Sequence, residues 1–113
     1  MENTEALAAA IGRLVGAVKQ NARQALDRRL GRMKAEVLDR YLQDEEPEIR
    51  RAAAVACAMR GLRTHVPRLI PLLGDRDAAV ADAAHEALKE LSGKDLGTDV
   101  AAWKAWWARH GKD

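Results

Sequence analysis

Apolar positions in this chain recur at the three- and four-residue spacing of a helix face, and the pattern itself returns after 31 residues. The segment VLDRYLQDEEPEIRRAAAVAC (37–57) superposes on RLIPLLGDRDAAVADAAHEAL (68–88). Leu38 falls on Leu69, Leu42 on Leu73, Asp44 on Asp75, Ile49 on Val80, Ala53 on Ala84 and Ala56 on Ala87. A weaker copy lies upstream, where Leu7, Ile11, Val18, Ala22 and Ala25 fall on Leu38, Leu42, Ile49, Ala53 and Ala56. That copy lacks the acidic turn of the other two, which predicts a continuous helix from Thr4 to about Leu30 instead of a hairpin.

Helix punctuation sets the remaining boundaries. Pro47 suits the first turn of a helix that runs to about Arg60 and stops at Gly61. Thr64 is the expected N-cap of the next helix, which holds Pro67 and should bend at Pro71, where a backbone donor is missing. A helix from about Ala78 ends near Leu91, with Ser92-Gly93 as its stop. Thr98 or Asp99 caps a last helix running to about His110, and Gly31 separates the first helix from one over 33–43. The expected hairpins pair 16–30 with 33–43, 47–60 with 64–73 and 78–92 with 99–110, residues 4–14 covering the open end. In the last helix, TDVAAWKAWW (98–107) aligns with THVPRLIPLL (64–73), which places Trp103 on Leu69, Trp106 on Leu72 and Trp107 on Leu73. The three Trp residues thus form a structural cap that closes the end of the stack, with Leu96 beside them.

Composition narrows the picture. The chain has 113 residues, no Phe and one Tyr, so most of its core is Ala, Leu, Val and Ile. Alanine is the best helix former and lets helices approach closely. One domain over 1–113 is expected: an N-terminal cap or degenerate repeat over 4–32, repeats over 33–63 and 64–93, and a capping helix over 94–113. No segment has the long uncharged run of a membrane span, and the N-terminal stretch, acidic at its start and with its apolar part interrupted by Arg13, is not expected to be a signal peptide. The lone cysteine, Cys57, fits a reducing compartment, and the cytoplasm is the expected location.

An acidic turn, then Pro or Ala, then Val/Ile with Arg and Ala at fixed offsets resembles the HEAT-repeat family: DEEPEIRRAAAVACAMRG, followed by THVPRLIPLLGDRDAAVADAAHEALKELSG. The ending LSGKDLGTDVAAWKAWWARHG is similar to the terminal segment of bacterial HEAT-repeat proteins. The resemblance covers about 33–110 and implies an all-α fold, a short right-handed α-solenoid of antiparallel helix pairs that serves as a scaffold for macromolecules. One departure is Ala81, where the pattern prefers the Arg found at Arg50, so a ladder of Asp and Arg contacts between successive turns should be incomplete.

Catalytic chemistry finds little support. His65, His85 and His110 stand on three different helices with no partner ligand at helical spacing, so neither a metal site nor a cofactor is expected. In the HEAT-repeat deoxyhypusine hydroxylases, iron is held by His-Glu pairs whose His follows the repeat's Val by two positions. That position here is Asp82, and His85-Glu86 lies three residues on. Cys57 falls on Leu88 and Leu26 in the register, as a small buried hydrophobe.

Charge is the strongest functional hint. Residues 13–34 carry Arg13, Lys19, Arg23, Arg28, Arg29, Arg32 and Lys34 against Asp27 alone. Residues 48–68 carry Arg50, Arg51, Arg60, Arg63 and Arg68 against Glu48. The expected function is a non-catalytic scaffold that binds another protein through its second helices, with Lys34, Arg40, His65 and Arg68 as contacts. The alternative is backbone-level nucleic-acid binding through a basic patch of Arg23, Arg28, Arg29, Arg32, Arg50 and Arg51.

Overall fold

The computed structural model describes residues 4–111. These form α1 (Thr4–Ile11), α2 (Gly16–Gly31), α3 (Ala35–Tyr41), α4 (Pro47–Met59), α5 (Val66–Leu69), α6 (Ala78–Ser92) and α7 (Val100–His110), with 3-10 turns at Arg63–His65 and Ile70–Gly74 flanking α5. No strand occurs among the described residues. Residues 1–3 and 112–113, the outermost parts of the expected domain and of its capping segment, lie outside them.

The two acidic turns are built alike. The Asp44 carboxylate accepts the Glu46 N–H, and the Glu46 carboxylate accepts the Glu48 N–H at the start of α4. One repeat later the Asp75 carboxylate accepts the Asp77 N–H, and Asp77 accepts those of Ala79 and Val80. Each turn thereby satisfies donors that a helix start leaves open. Asp99 does the same for α7, accepting from Ala101 and Ala102. Gly61 and Gly93 follow α4 and α6 with φ of 64° and 74°, left-handed values that other residues adopt at a cost.

Between Arg63 and Gly74 the chain is not one helix. Pro71 has no N–H for the Pro67 carbonyl, and the α-helical turn gives way to 3-10 at Ile70. The winding thus changes beside Pro71, the position at which a bend is expected. Thr64 is not the cap of this segment: it lies inside the first 3-10 turn, with its hydroxyl against His65 Nδ1. Nor is the first helix continuous. Gly12 and Gly16, the latter with φ 61°, flank a break, and α1 folds back onto α2 and α4. Residues 4–11 and 16–31 thus repeat the α3–turn–α4 arrangement without its acidic turn.

α2, α4 and α6 lie side by side as a layer with α4 in the middle. Ala52, Ala53, Ala54 and Ala56 of α4 and Ala84 and Ala87 of α6 are buried, and their small side chains allow the close approach. α3 packs on α4, the 63–74 segment on α6, and α7 on the 63–74 segment. The close pairs are therefore α1 with α2, α3 with α4 and the 63–74 segment with α6, across the glycine and acidic turns. The expected hairpins were phased one helix later. α4 meets the following segment chiefly at the 3-10 turn Arg63–His65, because its alanine faces are already occupied by α2 and α6.

The core follows the repeat register. Leu38, Leu42, Ile49, Ala53, Ala56, Leu69, Val80 and Ala84 are wholly buried, as are Leu26, Cys57 and Leu88 at a second equivalent position. Val18 departs from it: its counterpart Ile49 is wholly buried, yet Val18 is 61% exposed. α4 has neighbours on both flanks, whereas α2 is the end of the layer and has α4 on one flank only.

Candidate interaction surfaces

The arginines of the expected basic patch divide into two groups. Arg23 reaches from α2 to Glu48 of α4 with two hydrogen bonds, 3.0 and 2.7 Å. Arg51, itself buried, holds the same carboxylate at 3.0 Å and Asp27 of α2 at 2.8 Å. Two guanidiniums and two carboxylates thus form a closed, neutral cluster between α2 and α4. Burial pushes the Glu48 carboxyl up, but the hydrogen bonds from Arg23 and Arg51 outweigh it and hold it below its ordinary range.

Arg50 ties together the two acidic turns. It donates from Nη1 to the carbonyls of Asp44 and Glu45 at 2.7 and 3.0 Å, and from Nε and Nη2 to both oxygens of Asp75 at 2.8 and 3.0 Å. Burial opposes the ionised form of Asp75; the Arg50 hydrogen bonds and the Asp77 N–H reverse that and lower its pKa. The next rung would need an arginine at Ala81, so the ladder stops there, as the sequence implied.

Arg23, Arg50 and Arg51 are therefore engaged inside the fold. Arg28 and Arg32 are exposed and Arg29 is half-buried, toward the C-terminal end of α2. Arg60 donates to the Met33 carbonyl, which brings the end of α4 to the α2–α3 turn that carries the exposed Lys34.

The expected protein contacts converge in part. Arg40, His65 and Arg68 line one shallow recess of about 510 Å³, together with Glu36 and Asp39. Lys34 is exposed at the N-cap of α3, next to this recess. His65 is only 8% exposed, and its Nε2 lies 2.9 Å from the Ala35 carbonyl, so it holds α3 to the 63–74 segment instead of facing a partner. Arg68 pairs with Asp39 at 2.7 Å while remaining half exposed. Arg40 is exposed.

At the C-terminal end, Trp103 is wholly buried, with its indole N–H donated to the Gly97 carbonyl at 2.8 Å. Trp106 is buried edge-on against it at 6.1 Å. Trp107 was expected at a core position but is half-buried: the side chains 103 and 106 face the 63–74 segment, and 107 turns to the flank. There the Arg63 guanidinium stands 5.5 Å from the Trp106 ring and 5.8 Å from that of Trp107. Leu96 packs against this core, as expected.

The histidines do not converge. His65 bonds α3, His85 contacts Asp95 at 2.8 Å and His110 lies against Trp106. Among the described residues no group of three or more His, Cys, Asp and Glu side chains could hold a metal ion. Cys57 is wholly buried, and desolvation pushes its thiol up to about 12, far from the thiolate range of a nucleophile.

One surface escaped the sequence reading. Between α4 and α6 runs a trough of about 450 Å³, floored by Val55, Ala58, Met59, Ala83 and Ala87 and edged by Asp82, Glu86 and Glu90. Met59 is 70% exposed there. A signal was present in the repeat register, which pairs Val55 with Glu86 and Met59 with Glu90, setting apolar side chains opposite charged ones at outward positions.

None of the described helices is long and apolar enough to cross a membrane. No curated protein and no solved structure matches the chain significantly. The sequence model of the HEAT repeats, however, matches residues 34–102, from the start of α3 into α7. Repeats of this kind generally mediate protein interactions. With its repeat register, its stacked helix pairs and that match over more than half its length, the chain belongs to the HEAT-repeat family.

Proposed function

We propose that this chain is a non-catalytic scaffold that binds another protein through its helical surface, in the reducing environment of the cytoplasm that suits its free thiol. The observation that carries the reading is the α4–α6 trough. A solvated face calls for polar residues, and here Val55 and Met59 stand outward instead. The converging set Arg40 and Arg68 beside Lys34 offers a second, polar contact zone on α3 and the 63–74 segment. The side chains that could do chemistry are committed elsewhere: Cys57 to the core, His65 to the Ala35 carbonyl and Glu48 to two arginines.

A backbone-level nucleic-acid contact is the second reading. It rests on Arg28, Arg32 and Lys34, exposed on and beside the α2–α3 turn. Affinity capture with the full chain, with and without nuclease, separates the two. A partner protein retained after nuclease and displaced by untagged chain supports the scaffold. Retention that vanishes with nuclease and falls steeply with salt supports the nucleic-acid reading instead.

A further inference from the structure

The outward stripe of the α2–α4–α6 layer changes chemistry from helix to helix. Register-equivalent positions are Gln20, Gln24 and Arg28 on α2; Arg51, Val55 and Met59 on α4; and Asp82, Glu86 and Glu90 on α6. On α4 the ion cluster draws Arg51 inward, and the two positions beyond it are apolar. On α6 the stripe is wholly acidic. Asp82 and Glu90 make no ion pair among the described residues, and Glu86 has only the half-buried Lys89 of its own helix, at 3.0 Å.

We propose that this trough docks a cationic amphipathic helix of a partner protein. Its apolar face would lie on Val55, Met59 and Ala83, and its Lys or Arg flank along Asp82, Glu86 and Glu90. The inference rests on the scaffold reading and names the partner chemistry. Three carboxylates at four-residue intervals span about 12 Å of α6, since a helix rises about 1.5 Å per residue. A helix lying along the trough presents cations at the same period, and one apolar side chain per turn to the floor. The lining of the trough follows α6 from Asp82 to Glu90, which suits a rod-like element over a compact ligand. The carboxylate edge repels acidic segments and phosphate backbones alike. This places the site on the opposite charge to the arginines around the α2–α3 turn.

The test uses the full chain and a synthetic helical peptide with leucine on one face and lysine on the adjoining face. Titration followed by backbone amide shifts should move Val55, Ala58, Met59 and Ala83, and leave α3 and α7 unmoved. Met59→Gln should weaken binding on the order of tenfold, as should the double reversal Glu86→Lys with Glu90→Lys. A peptide with glutamate in place of lysine should bind the reversed protein and not the native one. All three residues are exposed, so circular dichroism should show the variants folded as the native chain. Shifts located elsewhere, or affinity indifferent to both variants, would overturn the proposal. So would a dimer by sedimentation that Met59→Gln dissociates, since a second copy would then occupy the trough. A nuclease-resistant captured partner that is indifferent to these variants would sink this site while leaving the scaffold reading in place.

Discussion

Trp103 shows how one residue joins local and long-range order. The repeat alignment put it at a core position, and it is wholly buried with its only polar atom satisfied by the Gly97 carbonyl. Trp103→Ala should therefore cost on the order of 3–5 kcal/mol, the penalty for emptying a buried aromatic site. Urea denaturation of the two proteins checks this; a loss under about 1 kcal/mol would mean that the indole contributes as a surface residue does. Its neighbour Trp106 has a buried indole N–H with no acceptor among the described residues, a departure for which the structure offers no compensating bond. Cys57 was legible as a buried hydrophobe from its register with Leu88 and Leu26, because an apolar contact depends on position in the helix face. His65 was not legible. Its place beside Arg68 suggested a contact surface, but its ring reaches a carbonyl thirty residues away in the chain, and periodicity carries no record of such a partner.

At the scale of elements, the acidic turns do two jobs. Their carboxylates cap α4 and α6, and Asp75 also anchors Arg50. A carboxylate whose folded-state pKa lies below its unfolded one stabilises the fold above the ordinary carboxylate pKa, and that contribution disappears as the pH falls through the folded value. Asp75 and Glu48 both have this sign. Asp75→Asn keeps an oxygen for the Asp77 N–H but removes the charge facing Arg50. At neutral pH it should cost about 1.5–3 kcal/mol, the range for hydrogen bonds to charged groups. The difference from the native chain should shrink as the pH is lowered below about 4. Stability curves for both proteins between neutral and acid pH test this, and a constant offset would remove the Arg50–Asp75 pair as its cause. The sequence pointed to a ladder of Asp and Arg contacts left incomplete at Ala81, because the HEAT-like pattern sets the offset of the Arg. It gave no sign that Arg23 and Arg51 share Glu48, since that cluster depends on how α2 lies against α4.

For the molecule as a whole, the core is continuous from Ile11 in α1 to Trp106 in α7. The stack is elongated, 42 × 25 × 21 Å, and each pair touches mainly its neighbours, so its cooperativity rests on the interfaces between pairs. The three Trp residues report only on α7, while far-UV circular dichroism reports on every helix. With one continuous core the two denaturation curves should coincide. A fluorescence transition at clearly lower urea would show that α7 melts away from a still folded stack.

The repeat, the helical class, the Asp99 cap, the Gly61 and Gly93 stops and most of the buried register could be read from the chain by itself. Each is a local property, set by spacing along a helix or by the few residues of a turn. Which helix packs on which was decided by tertiary structure: the pairing across the acidic turns and the exposure of Val18 follow from the neighbours that each helix has. The same holds for charge. The chain displays twelve basic residues across 13–34 and 48–68, but Arg23, Arg50 and Arg51 become internal fastenings because carboxylates from other elements of the fold meet them. The α4–α6 trough exists only once two outward stripes, one apolar and one acidic, are laid side by side.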